Sequence, residues 1–137
     1  MRAHAAALEA ALDGLVAGGA HVGEAHNAAL PYVVIGLPGW GSPDELPLCG
    51  HDFTLDARLT VKAVAGTTEG CYAVLAKVRA RLSPDMRWTP LAVEHRAAET
   101  KFVRAEFVAP DTSSTITSTD RHPVQGVDTY RLHSQPA

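Results

Sequence analysis

The stretch Phe53-Thr54-Leu55-Asp56-Ala57-Arg58-Leu59-Thr60-Val61-Lys62-Ala63-Val64-Ala65-Gly66 decides the fold. Every odd position from Phe53 to Ala65 is apolar, and the even positions are polar from Asp52 through Lys62, giving way only at Val64. A period of two held over the whole run predicts a long strand with one face on a core and one face in water. Gly66, Thr67 and Thr68 break it with a permissive residue followed by two hydroxyls suited to capping a helix. From Glu69 to Leu82 the apolar residues Cys71, Val74, Leu75, Val78 and Leu82 recur at spacings of three and four. Lys77, Arg79 and Arg81 crowd the last turns of that helix, where cations favour the carbonyl end of the dipole, and Ser83-Pro84 stops it. A strand and a helix joined by a tight turn bury their apolar faces on each other, which makes this unit the nucleus of an α+β domain.

Working outward, Arg2 to Val16 reads as a helix. Alanines dominate it, Leu8, Leu12 and Leu15 form a stripe, and Gly18-Gly19 ends it. His21 to Asn27 has no clear period and fits a short edge strand or a loop. Pro31 opens PYVVIG, whose unbroken Tyr32-Val33-Val34-Ile35 predicts a central strand covered on both faces. Leu37 to Pro43 is a Gly/Pro loop that holds Trp40 between two glycines, either as a lid on the core or as an anchor for a partner. Arg87 to Glu94 reads as extended, and Lys101 to Val108 as a β segment that pairs with a last strand at Val127 to His133. Between them DTSSTITSTD, residues 111–120, is nearly all Ser, Thr and Asp, a composition that cannot hold itself on a core. It reads as a mobile loop or hairpin tip that orders on a partner, presenting Ser113, Ser114, Thr115, Ile116 and Thr117. The expected fold is α+β, a mostly antiparallel sheet of four to five strands with two helices packed on one face, in a single domain spanning residues 1–137.

The chain has 137 residues and a formal net charge of -3, a balance that does not favour gripping nucleic acid through phosphates. The charge is uneven: Lys77 to Arg104 carries a local +4, leaving -7 for the remainder, either a solvated basic face or unlike faces that meet between copies. Cys49 and Cys71 lie outside any CxxC spacing, which points to neither a zinc knuckle nor a disulfide framework. Cys71, on the helix stripe, reads as a buried thiol. Glu9 and Asp13 interrupt the alanine-rich start, so a signal peptide is not expected, nothing approaches a membrane span, and the default compartment is a reducing cytosol. Seven histidines, His4, His21, His26, His51, His95, His122 and His133, show no HExxH or HxH pattern and read as surface residues. GLPGWG lacks the Lys and Ser/Thr of a phosphate loop, and no GxSxG elbow occurs. No catalytic, metal or cofactor site is expected.

The layout resembles the tail terminator (tail completion) family of long-tailed bacteriophages, in the group similar to the lambda minor tail protein U. The resemblance is carried by Leu30 to Gly36, by Leu59, Val61 and the turn Gly66 to Gly70, and by the helix Ala73 to Leu82. It implies a non-enzymatic virion protein assembled in the host cytoplasm as a homo-oligomeric ring, usually a hexamer. Such a ring caps the tail tube protein, stops tube polymerisation and meets the head-tail connector protein, while DNA passes through its lumen without specific binding. The interface residues expected on this basis are Trp40, Arg79, Arg81 and Ser113 to Thr117, with the basic segment facing an acidic patch of the next copy. A neck, connector or baseplate component is the alternative within a particle, and a small ligand-binding α+β module using the histidines is the alternative outside one.

Overall fold

The structure is a computed structural model that describes residues 2–23, 29–37, 55–110 and 123–136. Trp40, Ser113, Ser114, Thr115, Ile116 and Thr117, the expected loop at 111–120, His26, His51, His122 and Cys49 lie outside the described residues. The elements are α1 (Arg2–Ala11), β1 (Ala20–Val22), β2 (Tyr32–Gly36), β3 (Leu55–Ala65), α2 (Thr68–Leu82), β4 (Thr89–Val93), β5 (Arg96–Pro110) and β6 (Val124–Pro136), with a 3-10 turn at Pro84–Met86. They form an α+β fold with one curled sheet in the order β1-β2-β3-β6-β5-β4. It has six strands where four to five were expected, because the three residues Ala20–Val22 pair alongside β2. That pairing is parallel and every other is antiparallel.

β3 carries the period-two pattern into the centre of the sheet. Its residues Leu59, Val61, Ala63 and Ala65 are buried, and they stand opposite Tyr130, Asp128, Gly126 and Val124 of β6. Directly paired residues share a face, so this inner face continues through Val33 and Ile35 of β2, Ala98, Thr100 and Phe102 of β5, and Leu91 and Val93 of β4. Val64, where the alternation breaks, is also fully buried, on the opposite face between its partners Tyr32 and Gln125. Removing each large aliphatic side chain of this core from water stabilises the fold by roughly 1.5–3 kcal/mol.

α2 lies across β3, β6 and β5 on the inner face and buries the expected stripe, Cys71, Val74, Leu75, Val78 and Leu82. Thr67 caps its start, its Oγ1 accepting from the Gly70 amide at 3.0 Å. At the other end the Thr100 hydroxyl donates to the Leu82 carbonyl at 2.7 Å, a side-chain partner for a group that the helix leaves unpaired. α1 rests against β4 and β1, the two opposite edges of the sheet, and so closes the curl. It ends at Ala11, five residues short of the expected Val16. Gly14 adopts a left-handed φ of 77°, a conformation that glycine takes without a Cβ penalty and that ends a helix.

β2 corrects a second expectation. It is the second strand from the edge, and its burial alternates, with Val33 and Ile35 buried and Tyr32, Val34 and Gly36 half-buried. Both late strands are longer than their apolar cores. β5 and β6 pair from Arg96↔Pro136 to Pro110↔Val124, with bulges at Val103 and Glu106 that increase the twist. β4 covers β5 only from Arg96 to Thr100, so among the described residues no strand pairs with the outer edge of β5 from Lys101 to Pro110. No helix among the described residues is long and apolar enough to cross a membrane.

Candidate functional site

Two polar clusters are built into the inner face, and a third set of charges covers the outer face. The first cluster centres on Asp128, a carboxylate on the apolar stripe of β6 whose side chain is fully buried. Arg79 reaches it from α2 in a two-pronged pair, Nε to Oδ2 at 2.7 Å and Nη2 to Oδ1 at 2.8 Å. The guanidinium lies 4.6 Å from the centroid of the Phe102 ring, and Phe102 meets Tyr130 edge to face at 5.6 Å. Hydrogen bonding to Asp128 raises the already high pKa of Arg79. Charge, cation-π contact and aromatic packing therefore tie α2 to β5 and β6 at one point.

Two neighbours of this pair are chemically quiet. Cys71 places its Sγ 3.6 Å from the Ala63 carbonyl, and burial, followed by the charge of Asp128, pushes its thiol pKa up. That opposes the thiolate form which reactive cysteines need. Burial likewise raises the Tyr130 phenol, again with Asp128 adding to it. Its hydroxyl has no partner in hydrogen-bond geometry, one of two such buried side-chain atoms among the described residues. Tyr130→Phe removes an unsatisfied oxygen while keeping the ring, so we expect it to change the unfolding free energy by less than about 1 kcal/mol, whereas Tyr130→Ala loses about 3–5 kcal/mol. Urea denaturation of both variants checks the contrast.

The second cluster joins α1 to the end of the sheet. His4 Nε2 lies 2.8 Å from Ser134 Oγ, and the same oxygen accepts from Arg96 Nε, whose Nη2 also donates to the Ser134 carbonyl at 3.0 Å. A serine hydroxyl against an imidazole has the outline of a nucleophile and its base. Here Ser134 has no exposed surface and His4 only 5%, so solvent and substrate have no path to the oxygen. The second buried atom without a partner is His4 Nδ1. The imidazole pKa is held down to about 4, chiefly by burial, with the positive charges of the amino terminus and Arg96 adding to it.

On the outer face the even positions of β3 meet charged residues of β6 and β5. Arg131 grips Asp56 with two bonds, at 3.0 and 2.6 Å, and this holds the Asp56 carboxyl below the usual carboxylate range. Glu106 accepts from both Arg104 and Thr129 at 2.8 Å, which lowers its pKa in the same way. His133 and Glu99 stand 3.9 Å apart beside an open groove of about 420 Å³ that also touches Pro90, Ala97 and Gln135. Asp85 and Met86 both have left-handed φ, at 56° and 59°, a strained conformation for residues with a Cβ. The turn they form displays Met86 and Trp88 to solvent. No group of three His, Cys, Asp or Glu side chains among the described residues is placed to hold a metal ion.

Of the residues expected at an interface, Arg79 is engaged inside the subunit by Asp128. Arg81 is exposed but donates from Nη1 to the Ala11 carbonyl at 3.0 Å, tying the end of α2 to the end of α1. Sequence reasoning missed Asp128, His4 and Ser134. Asp128 carried a signal in the stripe Val124-Gly126-Asp128-Tyr130-Leu132, where one carboxylate interrupts an apolar face and demands a cation. His4 stands in the row His4-Leu8-Leu12, which is the buried row of α1. No family model matches the chain, and no curated protein matches it.

Proposed function

We propose that this chain is a structural virion protein of a long-tailed bacteriophage, acting as a tail terminator. Copies close into a ring, six in the arrangement that the resemblance implies, which sits on the last ring of the tail tube and ends its growth. The opposite side of the ring meets the head connector. The observation that carries this reading is one-sided packing: both helices lie on the inner face of the sheet. Among the described residues, no helix covers the charged patch of the outer face and no strand pairs with the Lys101–Pro110 edge of β5. A strand edge without a partner and a charged patch are surfaces through which subunits add to one another. The bulges at Val103 and Glu106 restrict which edge can pair with β5, favouring a specific neighbour over indiscriminate aggregation. A net charge of -3 supports a lumen through which DNA slides without being held by its phosphates.

Two measurements test the reading together. Native mass spectrometry of the chain mixed with tail tubes is expected to give an assembly several times the 14.5 kDa subunit mass. Tails assembled without the chain are expected to have uncontrolled tube lengths in negative-stain images. A subunit that stays monomeric beside tubes overturns the ring, and tubes of normal length move the role to the neck or baseplate.

A further inference from the structure

We propose that α1 is an acid-released clasp: with a neutral His4 it closes the curled sheet, and protonation of His4 detaches it while the sheet and α2 stay folded. α1 contributes no strand pairing. It is held by Leu8 and Leu12 in the core, by the Arg81 bond to Ala11 at its end, and by the His4–Ser134 bond at its start. The Asp128 and Arg79 pair that fixes α2 lies on other elements, so α2 has its own attachment. The two helices can therefore separate in stability.

The geometry around His4 accepts only a neutral ring. Ser134 Oγ takes a hydrogen bond from Arg96 Nε and has a second lone pair for His4 Nε2–H, the neutral tautomer that keeps the hydrogen off Nδ1. Protonation adds a hydrogen to Nδ1, a buried atom without a hydrogen-bond partner, and puts a second cation on the serine that Arg96 already holds. Among the described residues the inner face toward α1 carries one charged side chain, Arg96. By register, the inner-face positions of the strands are Arg96 on β5, Ser134 and Leu132 on β6, Thr89, Leu91 and Val93 on β4, and Ala20 and Val22 on β1. Burial of the ring, with the Arg96 charge adding to it, opposes an imidazolium.

The sign follows from linkage. Docked, the imidazole titrates at about 4; released, it returns to its ordinary value near 6.5. The released form therefore binds the proton first. Docking is complete above pH 6.5 and weakens as pH falls toward 4, by about 30-fold between pH 7.5 and 5.0. Hydrogen exchange of the full chain, corrected for the pH dependence of the intrinsic rate, reads this directly. In the wild type, amides 5–11 are expected to be less protected than 72–82 at both pH values, because α1 opens without the rest of the fold, and to lose about 30-fold at pH 5.0. His4→Gln keeps a partner for Ser134 without a titrating group, so its α1 protection is expected to be equal at both pH values. Equal acid loss in His4→Gln, no loss in the wild type, or protection of amides 5–11 equal to that of 72–82 would each overturn the clasp. NMR titration of the wild-type His4 ring keeps the test decisive even if the variant fails to seat α1: a midpoint near 4 supports the proposal, and one near 6.5 refutes it.

Discussion

Arg79→Ala is expected to lower the unfolding free energy by about 3–5 kcal/mol, and to cost more than Asp128→Ala. The two sides of this pair are buried unequally: the Arg79 side chain retains 29% of its exposure, whereas that of Asp128 has none. Removing Arg79 leaves a carboxylate on the inner face with no counter-charge and no route to water. Removing Asp128 leaves a guanidinium at the rim of α2 that can swing outward and be hydrated, so the loss reduces to the two hydrogen bonds and the contact with Phe102, roughly 2 kcal/mol. The double change Arg79→Met with Asp128→Leu removes both charges and keeps apolar volume, and should recover most of the loss. Urea denaturation of the four proteins, compared at constant slope, reads the order. An Asp128→Ala protein less stable than Arg79→Ala would show that the carboxylate is held by something other than this guanidinium.

The same pair shows where sequence reasoning stops. The alternation of β3 and the three-and-four spacing of α2 are local periods, and each predicted its buried face residue by residue, from Leu59 to Ala65 and from Cys71 to Leu82. Arg79 also stood out locally, as a cation in the last turns of a helix, but its partner lies 49 residues away and no local period connects them. A helix-end cation therefore read as a surface charge. The strand count fell short for a different reason. Ala20–Val22 is too short to show a period, and it exists as a strand only because β2 supplies its hydrogen-bonding partner. The start of β5 was hidden by a two-residue turn at Glu94-His95, where His95 takes a left-handed φ of 61° without the Gly or Asn that normally announces one.

These placements sharpen how assembly should be probed. Charge reversal at Arg79 disrupts the fold before it reports on any neighbour, so loss of assembly there carries no information about an interface. Lys77 and Arg87 are exposed and lie in the same basic segment. Their reversal leaves the Asp128 pair intact and reads the surface alone, with a rim contact between copies weakening as salt rises.

Gly18→Ala is expected to destabilise the chain by about 3 kcal/mol or more, a loss centred on the join between α1, β1 and β2. Gly18 has little space around it: a Cβ there would overlap the Ala29 carbonyl oxygen and crowd the Pro31 carbonyl oxygen at 2.6 Å and Tyr32 Cβ at 2.8 Å. The Gly18 amide donates to the same Pro31 carbonyl at 2.8 Å, so the two segments cannot part without breaking the bond that joins them. The obstructing atoms are mostly backbone, with no rotamer to escape into, and the strain must pass into the pairing of Ala20 with Val33. Gly36→Ala is the control. Its close neighbour is Thr60 Oγ1 at 2.5 Å, the end of a side chain that can turn away, and the expected cost is about 1 kcal/mol. At roughly 3–5 °C per kcal/mol for a chain of this size, thermal melts should separate the two variants by about 6 °C or more. If Gly18→Ala melts within 2 °C of the parent, roughly the resolution of such a comparison, the approach of residues 29–31 to Gly18 is looser than described, and the edge pairing of β1 does not depend on it.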